Sequence, residues 1–376
     1  MSKDVNSNSV KRKLILLTIA GVALLVLMAV IIVAVIGKKH KTKANSSINK
    51  GAVVLTADGT DVYENEFRFY ASLVLDQENT AYALLTEEGI DRGATVKNAV
   101  LAFTKEYIFT LREARAAGIE LSETERQEVL DSIAAELTQY TAEGGKLDKG
   151  ENFYEHFYGL TEKQYTDFWL NWALIEKYNV QREADADVSE ANQQAAYEAF
   201  RQFLYGRECT VLSLDLRGLN EERTNTVLTL ARELEEQIRG GADMAALIDK
   251  HCDDEELKEL GGKITVTEVM KANFPELYAW ATAAEDGALG TVVSKDAVYI
   301  VRAGNTQDFD SLKNTDTMLD WTRLYIVDRE ADELVNSGKY SCTVNQSVYD
   351  KLDLSELIDT SMRNWSNYFS GLENGD

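Results

Sequence analysis

Between Lys250 and Asp254 the chain reads "KHCDD", an imidazole, a thiol and two carboxylates in consecutive positions. His251, Cys252, Asp253 and Asp254 are residue types that ligate a transition metal or pair as base and nucleophile. Both chemistries need convergent side chains. The four lack partner ligands at a recognisable metal spacing, so no metal is expected. A nucleophilic Cys252 assisted by His251 is disfavoured, because sequential neighbours at a helix end point apart. There is no phosphate-cradling GxxxxGK[ST] and no dinucleotide GxGxxG, so neither a nucleotide nor any other cofactor is expected. The stretch runs on through paired Gly261-Gly262 to Met270, Phe274 and the single proline of the chain, Pro275. Pro275 sits where a helix should start, a position at which a missing N–H does no harm.

The elements around this stretch are readable from periodicity. "ECTVLSLDL" alternates, with Thr210, Leu212, Leu214 and Leu216 on one side and Cys209, Val211, Ser213 and Asp215 on the other. A helix follows with Val227, Ala231, Leu234 and Ile238 on one face, stopped by Gly240-Gly241. A second, short helix shows Met244, Leu247, Ile248 and His251 at the same spacing. "GALGTVVSKDAVYIVRAG" then supplies two β-like runs.

At 376 residues the chain suits two or three modules. Cys209, Cys252 and Cys342 lie far apart and form no disulfide framework. Residues 1–50 carry nine Lys/Arg against one Asp, net +8, which leaves −32 for the rest of a chain of net −24. So acidic a body repels a phosphate backbone, and no nucleic-acid partner is expected.

Leu14–Ile36 is 23 residues without a charge. As a helix it would reach roughly 35 Å, enough for a ~30 Å hydrocarbon core. It exceeds the ~7–15 apolar residues of a cleaved signal and runs straight into "GKKHKTK". An uncleaved anchor is expected, with residues 1–13 as a cytoplasmic tail and 37–50 as a stalk. Basic residues flank both ends, so charge alone does not orient it. The short tail favours an inside N-terminus and an extracytoplasmic bulk.

After the stalk, Val53–Thr56 reads as a strand and Asp58-Gly59 as a turn. Phe67, Tyr70, Ala71 and Val74 then fall on one helical face. Gly118 ends a helix, and Ser122 with Glu125 begins the next as a capping box. Thr161 with Gln164, and Ser189, punctuate the chain in the same way. "NFYEHFYGL" gathers Phe153, Tyr154, Phe157 and Tyr158 around His156, as helix packing would.

The order of "AVVLTADGTDVYENEF", "EARAAGIELSETERQEVLDSI" and "GLTEKQYTDFWLNWALIEKY" resembles the N-terminal module of SurA/PrsA/trigger-factor-type chaperones, here over 51–203. "GADMAALIDKHCDD", "LGG", "MKANFPEL" and "GALGTVVSKDAVYIV", in that order, resemble a parvulin-type prolyl isomerase domain over 204–305. The resemblance places the two family histidines at Val211 and Tyr299. Asp254 matches the acid of the family's S-x-D pattern, with Cys252 at the serine position. Met270 and Phe274 match the apolar pocket that receives proline. It implies Asp254 and Tyr299 as the remaining catalytic candidates, and Val211, Cys252, Met270 and Phe274 as substrate-binding positions.

The departure matters physically. Twisting an X–Pro amide costs roughly 18–20 kcal/mol, and an isomerase must bind the twisted form better than the planar one. Val211 can neither donate nor accept a hydrogen bond, so catalysis should be weak or absent. Beyond the parvulin-like stretch, Leu324, Val327, Ala331 and Leu334 share one helical face, and Tyr340, Cys342 and Val344 one side of a strand. The resemblance implies that residues 306–376 fold back onto the first module, the last strand pairing near its first. "TSMRNWSNYFSGLENGD" reads as a frayed end. The expected fold is α+β: a membrane helix, a mainly helical chaperone module, an inserted parvulin-like domain and a C-terminal return. The expected function is that of a membrane-anchored foldase for unfolded or newly exported polypeptides. An active prolyl isomerase and an envelope scaffold that docks one partner are the alternatives.

Overall fold

The computed structural model describes residues 49–374 apart from 78–79, 81–83, 86–88 and 148–151. The apolar run Leu14–Ile36 lies outside the described residues. Among those described, no helix is long and apolar enough to cross a membrane. The fold is mixed α+β, mostly helical with small antiparallel sheets, and the chain divides into two units. One joins the residues up to Asp185 with Val327–Gly371; the other is built on Ala186–Ile326.

In the first unit, β1 (Val53–Ala57) turns into β2 (Thr60–Tyr63) through Asp58 and Gly59. Their φ values of 43° and 73° are the left-handed pair that a two-residue hairpin requires. The returning strand β7 (Cys342–Val344) pairs with the other edge of β1, Leu55 opposite Val344, giving the order β2-β1-β7. Burial of Phe67, Tyr70, Ala71 and Val74 seats the helix Glu64–Leu75 in the same core. That core also takes the faces of Arg92–Ala116, Glu123–Ala142, Phe153–Tyr158 and Glu162–Asp185.

The caps act locally as their residue types dictate. Ser122 and Glu125 exchange side-chain-to-backbone bonds of 3.2 and 2.7 Å, and Thr161 with Gln164 does the same at 3.1 Å. Ser189 differs: its hydroxyl donates to Asp187, and the helix Glu190–Ala199 begins without that cap. Residues 360–374, expected to fray, are helical instead. Ser355–Asn374 is a helix whose Ile358, Met362 and Trp365, spaced i, i+4, i+7, enter the first unit's core. The Trp365 indole N–H donates to the Leu75 carbonyl at 3.0 Å.

The second unit holds the antiparallel sheet β4-β3-β6-β5, made of Lys263–Thr267, Gly206–Asp215, Ala297–Gln307 and Leu289–Val293. The alternation of β3 divides two cores. Leu212, Leu214 and Leu216 pack under the helices Glu221–Arg239 and Met244–His251. Cys209 and Val211 pack on the other side, under the helix Pro275–Ala283. A third cluster, Ala196, Tyr197, Leu204, Leu312 and Met318, ties the flanking helices together. The long helix Asp316–Asn336 starts in this unit and ends in the first.

Candidate functional site

The site lies on the Val211 face of the four-stranded sheet. In the register of β3 with β6, Val211 faces Val301 and Ser213 faces Tyr299. Val211 and Tyr299 are therefore diagonal neighbours on one face, at the ~7–8 Å typical of such pairs. Val211 is fully buried, and the Tyr299 ring is buried to within 8%. Both belong to one cluster with Val266, Leu277, Ala281 and Val292.

A rim surrounds that floor. Phe274 caps the start of the helix Pro275–Ala283 and stays 40% exposed. Its ring meets that of Tyr299 edge-on, with centroids 6.5 Å apart and planes at 80°. Met270, in the 3-10 turn Glu268–Lys271, is half-buried against the same cluster, and its neighbour Val269 is exposed. Phe274 N–H donates to the Met270 carbonyl at 2.8 Å, which fixes the two residues relative to each other. Pro275 occupies the first helical turn, where it gives up no hydrogen bond.

The paired glycines serve packing. Gly262 has φ 74°, and a Cβ there would come within 2.5 Å of the Val211 carbonyl oxygen and 2.4 Å of Ile248 Cδ1. Val211 N–H donates to the Gly262 carbonyl at 2.7 Å. Only glycine lets this turn lie directly on β3.

The polar residues of the motif are used structurally. Asp254 is exposed and caps the helix Glu255–Glu259, its carboxylate accepting from Leu257 N–H at 2.9 Å. Asp253 accepts from Asp215 N–H at 2.9 Å and pins its loop to the end of β3. Cys252 is buried on the opposite side of the sheet, with Leu212 and Ile248, and its thiol lies 3.4 Å from the Asp254 carbonyl. The structure thus gathers Val211, Met270, Phe274 and Tyr299 on one face and sends Cys252 to the other. The four side chains of "HCDD" do not converge. Among the described residues no group of three or more His, Cys, Asp or Glu is placed to hold a metal ion.

Among the described residues of this face, Tyr299 brings a phenol, Ser213 a hydroxyl and Cys209 a thiol. Burial pushes the Tyr299 phenol above its ordinary range; Ser294 opposes this through a hydrogen bond, and the charges of Asp254, Asp296 and Glu276 add to the rise. It remains a protonated donor at neutral pH. His156 lies in the first unit, and His251 ends a helix packed on the other side of the sheet. Neither brings an imidazole to this face.

Tyr278 and Trp280 also pack against the cluster, contributions that sequence reasoning had not singled out. The signal for Trp280 is Gly290, where a Cβ would come within 2.8 Å of the indole nitrogen. A buried polar cluster in the first unit was missed as well. Glu136 is 4% exposed and accepts from Tyr165 at 2.9 Å and Tyr158 at 3.2 Å. Burial raises its carboxyl to about 7 despite both phenols.

No family model matches the sequence, and no curated protein matches it. Solved structures do. The foldase protein PrsA from Streptococcus pneumoniae is 17% identical with a TM-score of 0.34, the match covering 80% of this chain and 98% of that one. PrsA from Bacillus subtilis is 15% identical with a TM-score of 0.29, covering 83% and 98%. A SurA-like chaperone from Campylobacter jejuni is 10% identical with a TM-score of 0.25, covering 78% and 99%. The chain is similar to these foldases and SurA-like chaperones over most of its length, at low identity and low score.

Proposed function

We propose that this protein is a membrane-anchored extracytoplasmic chaperone of the foldase kind, with a parvulin-like unit that isomerises prolyl bonds weakly or not at all. The observation that carries the reading is the pair Val211 and Tyr299 on one face of the four-stranded sheet. Val211 and Tyr299 stand where the resemblance calls for imidazoles, both buried, and the rim above them is apolar and open. Such a surface takes an exposed apolar segment of an unfolded chain, and the described residues bring no imidazole to a twisting amide there. The motif acid, Asp254, is committed to a helix cap.

Holding and release then need no energy source and follow from affinity and from competition with the client's own folding. The acidic surface keeps the chaperone itself dispersed while it holds aggregation-prone chains. Leu14–Ile36 supplies the anchor, and the short tail before it favours an extracytoplasmic body. Suppression of aggregation of a chemically unfolded client by the full-length protein tests the holding role. It should fall severalfold in Phe274→Ala, whose side chain is 40% exposed. Protection of the client by neither protein would refute it. Protease added to spheroplasts tests the topology and should digest residues beyond Lys50 while sparing the tail before Leu14.

A further inference from the structure

The opposite face of the same sheet carries Glu208 and Thr210. They are in phase with Leu212 and Leu214 along β3 but lie outside the core that those leucines build. There the strands set three residues on one rung, Thr210 pairing with Lys263 of β4 on one side and Arg302 of β6 on the other. The next rung pairs Glu208 with Thr265. Gly304 approaches Glu208 so closely that a Cβ on it would lie 3.2 Å from the Glu208 Cβ. These six residues line a cavity of about 420 Å³. That falls within the ~300–1,000 Å³ of ordinary ligand clefts.

Its charges are uncommitted. Arg207, Arg217 and Arg239, which border the same sheet, each hold a carboxylate. No side-chain hydrogen bond or ion pair joins Lys263, Arg302 or Glu208 to any other described residue. We propose that this trough is a second peptide-binding site, specific for a carboxylate carried by an extended, otherwise neutral polypeptide. Arg302 offers a planar fork of donors, Lys263 a mobile point charge, and Thr210 a hydroxyl between them. Thr265 and Gly304 are small and leave room for the incoming backbone. Glu208 on the next rung repels a second negative charge, so the trough takes one carboxylate and not a polyanion. The site goes beyond the holding role of the Val211–Tyr299 face and does not depend on it.

The test follows the backbone amide signals of Thr210 and Gly304 in the isotope-labelled full-length chain at low ionic strength. The probes are blocked Gly-Gly-Asp-Gly-Gly, its Asn counterpart, and an acetylated pentaglycine with a free C-terminal carboxylate. A saturable shift with either carboxylate peptide supports the site, and the tighter of the two identifies a side-chain or a chain-terminal carboxylate as the natural one. The Asn peptide should bind at least fivefold more weakly than the Asp peptide. Lys263→Gln with Arg302→Gln should weaken binding at least tenfold, whereas Glu208→Gln should strengthen it. All three residues are exposed, so the fold should survive, and circular dichroism checks this. No saturable shift with either carboxylate peptide overturns the proposal. So does equal affinity for the Asn peptide, or indifference to the double substitution.

Discussion

Replacing Glu136 by glutamine should abolish a pH dependence of stability that resides in the first unit. Glu136 is buried among Tyr154, Tyr158 and Tyr165, and burial holds its carboxyl at about 7 in the folded chain against an ordinary 4.5. A carboxyl raised by folding binds its proton more tightly in the native state. Its favourable contribution is therefore complete below 4.5 and is lost as pH rises through about 7. At ~1.4 kcal/mol per pH unit, the native state should lose roughly 2–3 kcal/mol at this group between pH 5 and pH 8. Burial also raises the phenols of Tyr158 and Tyr165, so both remain protonated donors throughout. Glutamine keeps one acceptor oxygen for Tyr165 and carries no charge at any pH. Asp76 and Glu176, likewise raised to about 7 by burial, titrate in both proteins and cancel in the comparison. Amide exchange of the helices Glu123–Ala142 and Glu162–Asp185, followed in urea at pH 5 and pH 8, reads the first unit by itself. The wild type should lose roughly 2–3 kcal/mol more than the variant over that interval. Parallel profiles for the two proteins would refute the reasoning.

Other perturbations separate the two units. Trp365→Ala removes a buried indole and its bond to Leu75, and should destabilise the first unit by about 3–5 kcal/mol while leaving the second intact in limited proteolysis. Ending the chain at Asn336 should have the same selectivity, because β7 and the last helix complete only the first unit's core. Gly262→Ala should cost the second unit well over ~1 kcal/mol in urea unfolding, since the new methyl meets the Val211 carbonyl at a positive φ. Phe274→Ala should destabilise that unit by less than Gly262→Ala does in the same urea unfolding, because the ring is 40% exposed and leaves no enclosed cavity.

Where one element's period decides its environment, the sequence was sufficient. The alternation from Cys209 to Leu216 separates the two cores of the second unit, and the Asp58-Gly59 turn sets the hairpin. The strand carrying Cys342 and Val344 pairs with β1 as the resemblance implied. Environments that depend on a distant partner were not legible. Ile358, Met362 and Trp365 are spaced as a helix face, but Ser and Asn between them are weak helix formers. Only the Leu75 carbonyl and the core beside it make that helix worth ordering. Cys252 sits at a helix end where periodicity stops, and the bond from Asp253 N–H to the Ser213 carbonyl decides which side of the sheet it joins. Glu136 lies on a helix with exposed neighbours and reads as solvated; two tyrosines from other helices make it buried.

The most direct test of the central claim is proline-limited refolding of an unfolded client in the presence of the full-length protein, with light scattering recorded on the same sample. Uncatalysed X–Pro isomerisation takes tens to hundreds of seconds, so even modest turnover would show above background. A floor of Val211 and Tyr299 predicts suppressed scattering with an unaccelerated slow phase. A slow phase that accelerates with catalytic amounts of the wild type, and returns to background in Tyr299→Phe or Asp254→Ala, would make this pocket an active isomerase and contradict the account.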